Sequence, residues 1–139
     1  MKCANVLITD HGNNRVIRVN REKEIIWQYP GTNVTPADQL NGPNSAHRLK
    51  NGHYLIADGN NNRAIEVDRS NNVIKVFTAS GTLGVCGFAS RLPNGNTLLT
   101  DSSNSRVVEV DKNDAIVWQY ITNGAALSMF KPMPSRAVR

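Results

Sequence analysis

Polar and apolar residues change places in short runs, each too brief for a helix and bounded by turn formers. In the middle of the chain "HYLIAD" (53–58) is an apolar run, "RAIEVD" (63–68) alternates, and "VIKVF" (73–77) alternates again. Between them stand "GNNN" (59–62) and "RSNN" (69–72). Gly and Asn tolerate positive φ and so favour tight turns. A further short run, "SAHRL" (45–49), precedes the set. Period-two alternation with Asn/Gly turns and no helical spacing predicts four short antiparallel strands and an all-β fold.

That unit is written three times. "LITDHGNNRVIRV" starts at Leu7, "LIADGNNNRAIEV" at Leu55 and "LLTDSSNSRVVEV" at Leu98. Aligned on Asp10, Asp58 and Asp101, the copies share Arg15, Arg63 and Arg106, then Val19, Val67 and Val110. Ile26, Ile74 and Val117 follow, then the aromatics Tyr29, Phe77 and Tyr120. "PSRAVR", ending at Arg139, matches "PNSAHR", ending at Arg48, and "MKCANVLITD" matches "LKNGHYLIAD" from Leu49. The reading is one domain of three whole, circularly shifted repeats, 1–48, 49–91 and 92–139. A period of roughly 45 residues with four strands per unit signals a β-propeller blade.

The wording "ADGNNNRAIEVD" resembles the NHL repeat. "RLPNGNTLLTD…VVEVD…IVWQY" is similar to repeats of bacterial six-bladed propellers of arylsulfotransferase-like type. The resemblance implies a propeller that closes with about six blades, where this chain has three. Three blades leave two broad sheet flanks open, an aggregation hazard. A homodimer is therefore expected. The last segment, 135–139, would be the inner strand that completes the partner's first blade, giving two equivalent seams in a six-bladed ring. The alternative is a fragment of a longer propeller.

Composition narrows the classes. The chain has 40% hydrophobic and 19% charged residues, the balance of a globular domain. It has no apolar run long enough to span a bilayer and no signal-peptide pattern at the N-terminus, so no membrane association is expected and a cytoplasmic location is the default. The sequon at Asn33 would matter only in a secreted protein. A net charge of +5 permits acidic partners. The absence of a basic arm and of aromatic–basic interleaving argues against nucleic acid. Two cysteines, Cys3 and Cys86, fall at opposite ends of equivalent strands, which predicts free thiols.

The candidate residues divide by how often they recur. Asp10/Arg15, Asp58/Arg63 and Asp101/Arg106 join a strand end to the next strand start in every repeat, which predicts structural ion pairs. "DGNNN" at Asp58 imitates a calcium loop, but Arg63 and Arg69 occupy the positions of its Gly and its terminal Glu. No metal and no cofactor are expected. Trp27 and Trp118 match each other, with Lys75 between them, and read as packing against a neighbouring blade rather than a ligand platform. His47, on the inner strand, has Ser90 and Val138 as its equivalents. With Asn44, Ser45, Ser90 and Arg136 it is the candidate ligand site at the channel mouth. His11 and His53 fall in a turn and at a strand start. The loops 30–43 and 121–134, with Pro30, Pro36, Pro132 and Pro134, are longer than 78–86 and form the candidate surface for a protein or small-molecule partner. The favoured function is a non-enzymatic binding scaffold. Its competitors are a lyase, hydrolase or sulfotransferase-like enzyme using His47 and Arg136, and an RNA-binding module.

Overall fold

The computed structural model describes residues 4–32 and 34–122. The strand-forming runs become three antiparallel sheets. The first has three strands, β1 (Val6–Asp10), β2 (Arg15–Val19) and β3 (Ile25–Tyr29). The second has four, β4 (Pro43–Arg48), β5 (Tyr54–Asp58), β6 (Arg63–Val67) and β7 (Val73–Phe77). The third repeats that order with β8 (Cys86–Arg91), β9 (Thr97–Asp101), β10 (Arg106–Val110) and β11 (Ile116–Ile121). Each four-stranded sheet runs in simple meander order from its first strand. The segment 135–139, expected as the inner strand of the first blade, lies outside the described residues.

Local chemistry sets each hairpin. The polar turns after Asp10, Asp58 and Asp101 close as short 3-10 turns. The next residue, Asn14, Asn62 or Ser105, sits in the left-handed region at φ 54, 55 or 52°. Asn is favoured there because its short side chain bonds locally. The second hairpins use Lys23, Asn71 and Asp114 with φ of 69, 69 and 64°.

Burial explains why the middle strand is apolar throughout. Every residue of "YLIAD" is buried. Tyr54 and Ile56 join Val16, Tyr29, Ile65 and Val67 in a core against the first sheet. Leu55 and Ala57 join Phe77, Cys86, Leu99 and Val108 in a core against the third. A strand covered on both faces reads as a continuous apolar run rather than an alternating one. The inner strand β4 packs on β1 and on β8, so the three sheets stack face to face as propeller blades do.

Candidate functional site

The recurrent Asp–Arg pairs hold more than their own hairpins. Arg63 Nε donates to Asp58 Oδ2 at 2.8 Å, and Arg106 Nε to Asp101 Oδ2 at 2.7 Å, both carboxylates being fully buried. Asn61 also donates to Asp58. The other Asp58 oxygen accepts the backbone N–H of Asn41 at 2.8 Å, and that of Asp101 accepts the N–H of Gly84 at 3.0 Å. Arg63 adds donations to the carbonyls of Ala37 and Gln39, and Arg106 to that of Thr82. Each pair therefore clamps the loop that arrives from the preceding blade. Both Asp58 oxygens accept hydrogen bonds from the chain itself. Among the described residues no cluster of His, Cys, Asp or Glu could hold a metal ion.

Blade 1 differs. Arg15 Nε donates to Asp10 Oδ2 at 2.7 Å, yet the Asp10 side chain is 24% exposed and no backbone N–H from an arriving loop reaches it among the described residues. Hydrogen bonds from Arg15 and Asn13 hold its carboxyl below the ordinary value.

Four of the five expected channel-mouth residues, Asn44, Ser45, His47 and Ser90, are described. Asn44 Nδ2 donates to the carbonyl of Cys86, at the start of β8. His47 and Ser90 line a groove between blades 2 and 3 with Arg48, Lys50 and Arg91. Asn44 is the extra residue of a bulge in β4, where the pairing with β5 shifts between Pro43 and Ser45, so the alternation of the strand is broken before it reaches His47. Among the described residues Ser45 Oγ is buried without a hydrogen-bond partner. His47 Nε2 is likewise buried and unbonded, its ring set edge-on to Phe88 at 5.0 Å. Arg136 lies outside the described residues, with Val138, Cys3, Asn33, Pro132 and Pro134.

A tighter polar cluster forms at the same seam. Glu66 accepts from His53 Nδ1 at 2.6 Å and from Arg91 Nη2, on the next blade, at 2.9 Å. Burial alone would raise the Glu66 carboxyl, but the bonds from Arg91 and His53 outweigh it and hold it below the ordinary value. Cys86 is a free, buried thiol pushed up to about 12 by burial, which leaves it a poor nucleophile. The loop 30–43 is largely anchored. Tyr29 Oη donates to the Asp38 carbonyl at 2.7 Å and Leu40 is buried in the core.

Trp27 packs on the neighbouring blade, its ring stacked on Tyr54 with centroids 3.9 Å apart and 14° between planes. Its Nε1 donates to the Arg69 carbonyl at 3.2 Å. One repeat later, Lys75 Nζ reaches the equivalent carbonyl, that of Lys112, at 2.9 Å. The Trp27 ring borders a cleft between blades 1 and 2 shared with Arg18, Ile26, Tyr54, Arg69 and Ser70. Sequence reasoning passed over Arg18. Its signal was a broken repeat: Arg18 stands where the other copies have Glu66 and Glu109.

No family model and no curated protein matches the chain. Solved structures do. A streptogramin B lyase superposes with a TM-score of 0.67 at 16% identity, over 91% of this chain and 40% of that one. A catalytically inactive virginiamycin B lyase from Staphylococcus aureus, determined with quinupristin, gives 0.65 at 16% identity over 88% and 39%. The WD40 β-propeller domain of Doa1 gives 0.60 at 12% identity over 83% and 38%. The chain spans about 40% of the length of the lyase it matches. At these identities the likeness is one of fold, and the fold it shows is the β-propeller.

Proposed function

We propose that the chain is a half-ring binding scaffold. Two copies meet blade 1 to blade 3, close a six-bladed propeller, and present its channel and loop face to a ligand or protein partner. The observation that carries this reading is the bare flank of blade 1. Val6 and Ile8 are 42% and 38% exposed, where Tyr54, Ile56, Thr97 and Leu99, at the same repeat positions, are all at or below 1%. The occupant is a second copy because the contacts it must make are already written in the repeat. Trp27 covers Tyr54 and Lys75 reaches Lys112 across the internal seams. Trp118 occupies the same register toward a following blade, and Asp10 with Arg15 is the matching clamp for an arriving loop.

Light scattering tests the assembly. The expected mass is twice 15.3 kDa. A single-chain mass throughout the micromolar range overturns it.

A second reading is favoured by one atom, the buried and unbonded Nε2 of His47, and takes the chain for an enzyme with His47 and Arg136 at the channel. The virginiamycin B lyase determined with quinupristin supplies the probe. The scaffold leaves quinupristin intact on prolonged incubation, as read by mass spectrometry. Its conversion would replace the scaffold by the enzyme.

A further inference from the structure

In a repeat protein, residues that only hold blades together can be the same in every copy, so a seam that departs from its sibling is where a separate task is written. The seam between blades 2 and 3 holds a carboxylate paired to a cation. Glu66 takes the charge of Arg91 and bonds His53, Lys75 spans to the Lys112 carbonyl, and Thr97 Oγ1 accepts from Arg91 Nε. At the seam between blades 1 and 2 the corresponding residues are Arg18, Trp27 and Tyr54, with Arg69 at the position of Lys112. The carboxylate is exchanged for a guanidinium, and the lysine for an indole.

The result is a cleft lined by two cations and a ring, with no carboxylate among its described lining residues. Arg18 Nη1 donates to Tyr54 Oη at 3.3 Å and makes no ion pair among the described residues. Arg69 makes none either. The neighbouring carboxylate of Asp68 is engaged in its own turn by the N–H groups of Ser70 and Asn72 and the side chain of Asn72. Tyr54, buried beneath the Trp27 ring, accepts from Arg18 and so fixes the guanidinium at the cleft. The Trp27 ring is held in place by the Tyr54 stack on one side and by the bond to the Arg69 carbonyl at its edge. The cleft is open to solvent on one side, with a volume of about 680 Å³, room for a small molecule rather than a lone ion.

We infer that this cleft binds a small aromatic anion: a flat ring against Trp27, and a phosphate-like or carboxylate group between Arg18, held by Tyr54, and Arg69. A guanidinium suits such oxyanions because its fork of N–H donors matches their geometry. The half-buried indole supplies apolar surface for an aromatic partner. All the lining residues come from one chain, so the site is independent of the ring assembly proposed above.

Calorimetric titration with phenyl phosphate tests this, alongside inorganic phosphate and benzyl alcohol. Saturable binding of phenyl phosphate is expected, with each half-probe at least about tenfold weaker. Two variants restore what blade 2 already carries at these positions, Arg18→Glu and Trp27→Lys, so the repeat itself shows that such side chains are compatible with the fold. Each is expected to weaken phenyl phosphate about tenfold or more while the far-UV spectrum is retained. No saturable binding to the wild-type chain overturns the site. Binding unchanged in Arg18→Glu, or inorganic phosphate binding as tightly as phenyl phosphate, overturns it too. A single-chain mass in solution, which would sink the ring, leaves this titration unaffected.

Discussion

Blades 1 and 2 are built from nearly the same sentence, "LITDHGNNRVIRV" and "LIADGNNNRAIEV", yet the two environments differ. Ile8 is 38% exposed and Ile56 fully buried. The carboxylate of Asp10 is 24% exposed and that of Asp58 fully buried. Blade 2 has a sheet on each flank, and β4 brings the loop 30–43 onto its Asp–Arg clamp. Blade 1 has a neighbour on one flank only among the described residues. In stacked repeats, what a side chain contributes is set by the blade beside it as much as by its own blade. Identical motifs can therefore differ in energetic weight, and paired substitutions at equivalent positions measure that difference directly.

The aspartates should separate most. Asp58→Ala removes the partner of Arg63, whose side chain is only 14% exposed, and strips acceptors from Asn61 and from the Asn41 N–H. Breaking a buried pair from one side costs about 3–5 kcal/mol. Asp10→Ala at the equivalent site should fall well short of that, because solvent and salt already screen the exposed pair. Urea unfolding of both variants checks this. Equal destabilisation would mean that blade 1 is as well covered as blade 2, and the comparison would collapse.

The isoleucines come next. Ile56→Ala leaves a void in the core between blades 1 and 2 and should cost about 3 kcal/mol in urea unfolding. Ile8→Ala deletes the same atoms from a surface where much of the chain end is already in water, and its effect on a single copy should be a fraction of that. Ile8→Asp sharpens the contrast. If a second copy covers this flank, the charge halves the mass seen by light scattering while leaving the secondary structure in place.

Much of this architecture was legible from the chain alone. Strand positions, hairpin turns and the meander order follow from alternation and Asn/Gly spacing, which are local. The Asp–Arg contacts were legible because strict recurrence across a hairpin brings two residues together whatever lies outside. Their clamp on the arriving loop was not, since the Ala37, Gln39 and Thr82 carbonyls are backbone groups with no sequence signature. The channel-mouth group was the weakest reading. A bulge at Asn44 breaks the alternation of β4, and Arg136 lies outside the described residues, so neither spacing nor recurrence fixes how these side chains group. Arg18 is legible only as a difference: Trp27 has its match in Trp118 and Arg69 in Lys112, while Arg18 stands against Glu66 and Glu109.

The smallest expected effect concerns the position where blades 1 and 2 disagree in charge, Arg18 against Glu66. Hydrogen bonds from Arg91 and His53 leave the Glu66 carboxyl below its ordinary value of 4.5. A group with a lowered folded pKa contributes stability above its unfolded value, and that contribution is lost as pH falls through the folded one. Wild-type protein and Glu66→Gln should therefore differ most at neutral pH, with the wild type the more stable. The gap should narrow as the pH drops below about 4.5, once the wild-type carboxyl takes up its proton. Urea midpoints between neutrality and acid check the trend. A gap that stays constant with pH would mean Glu66 acts by its shape and not by its charge, and the exchange for Arg18 would then lose its electrostatic meaning.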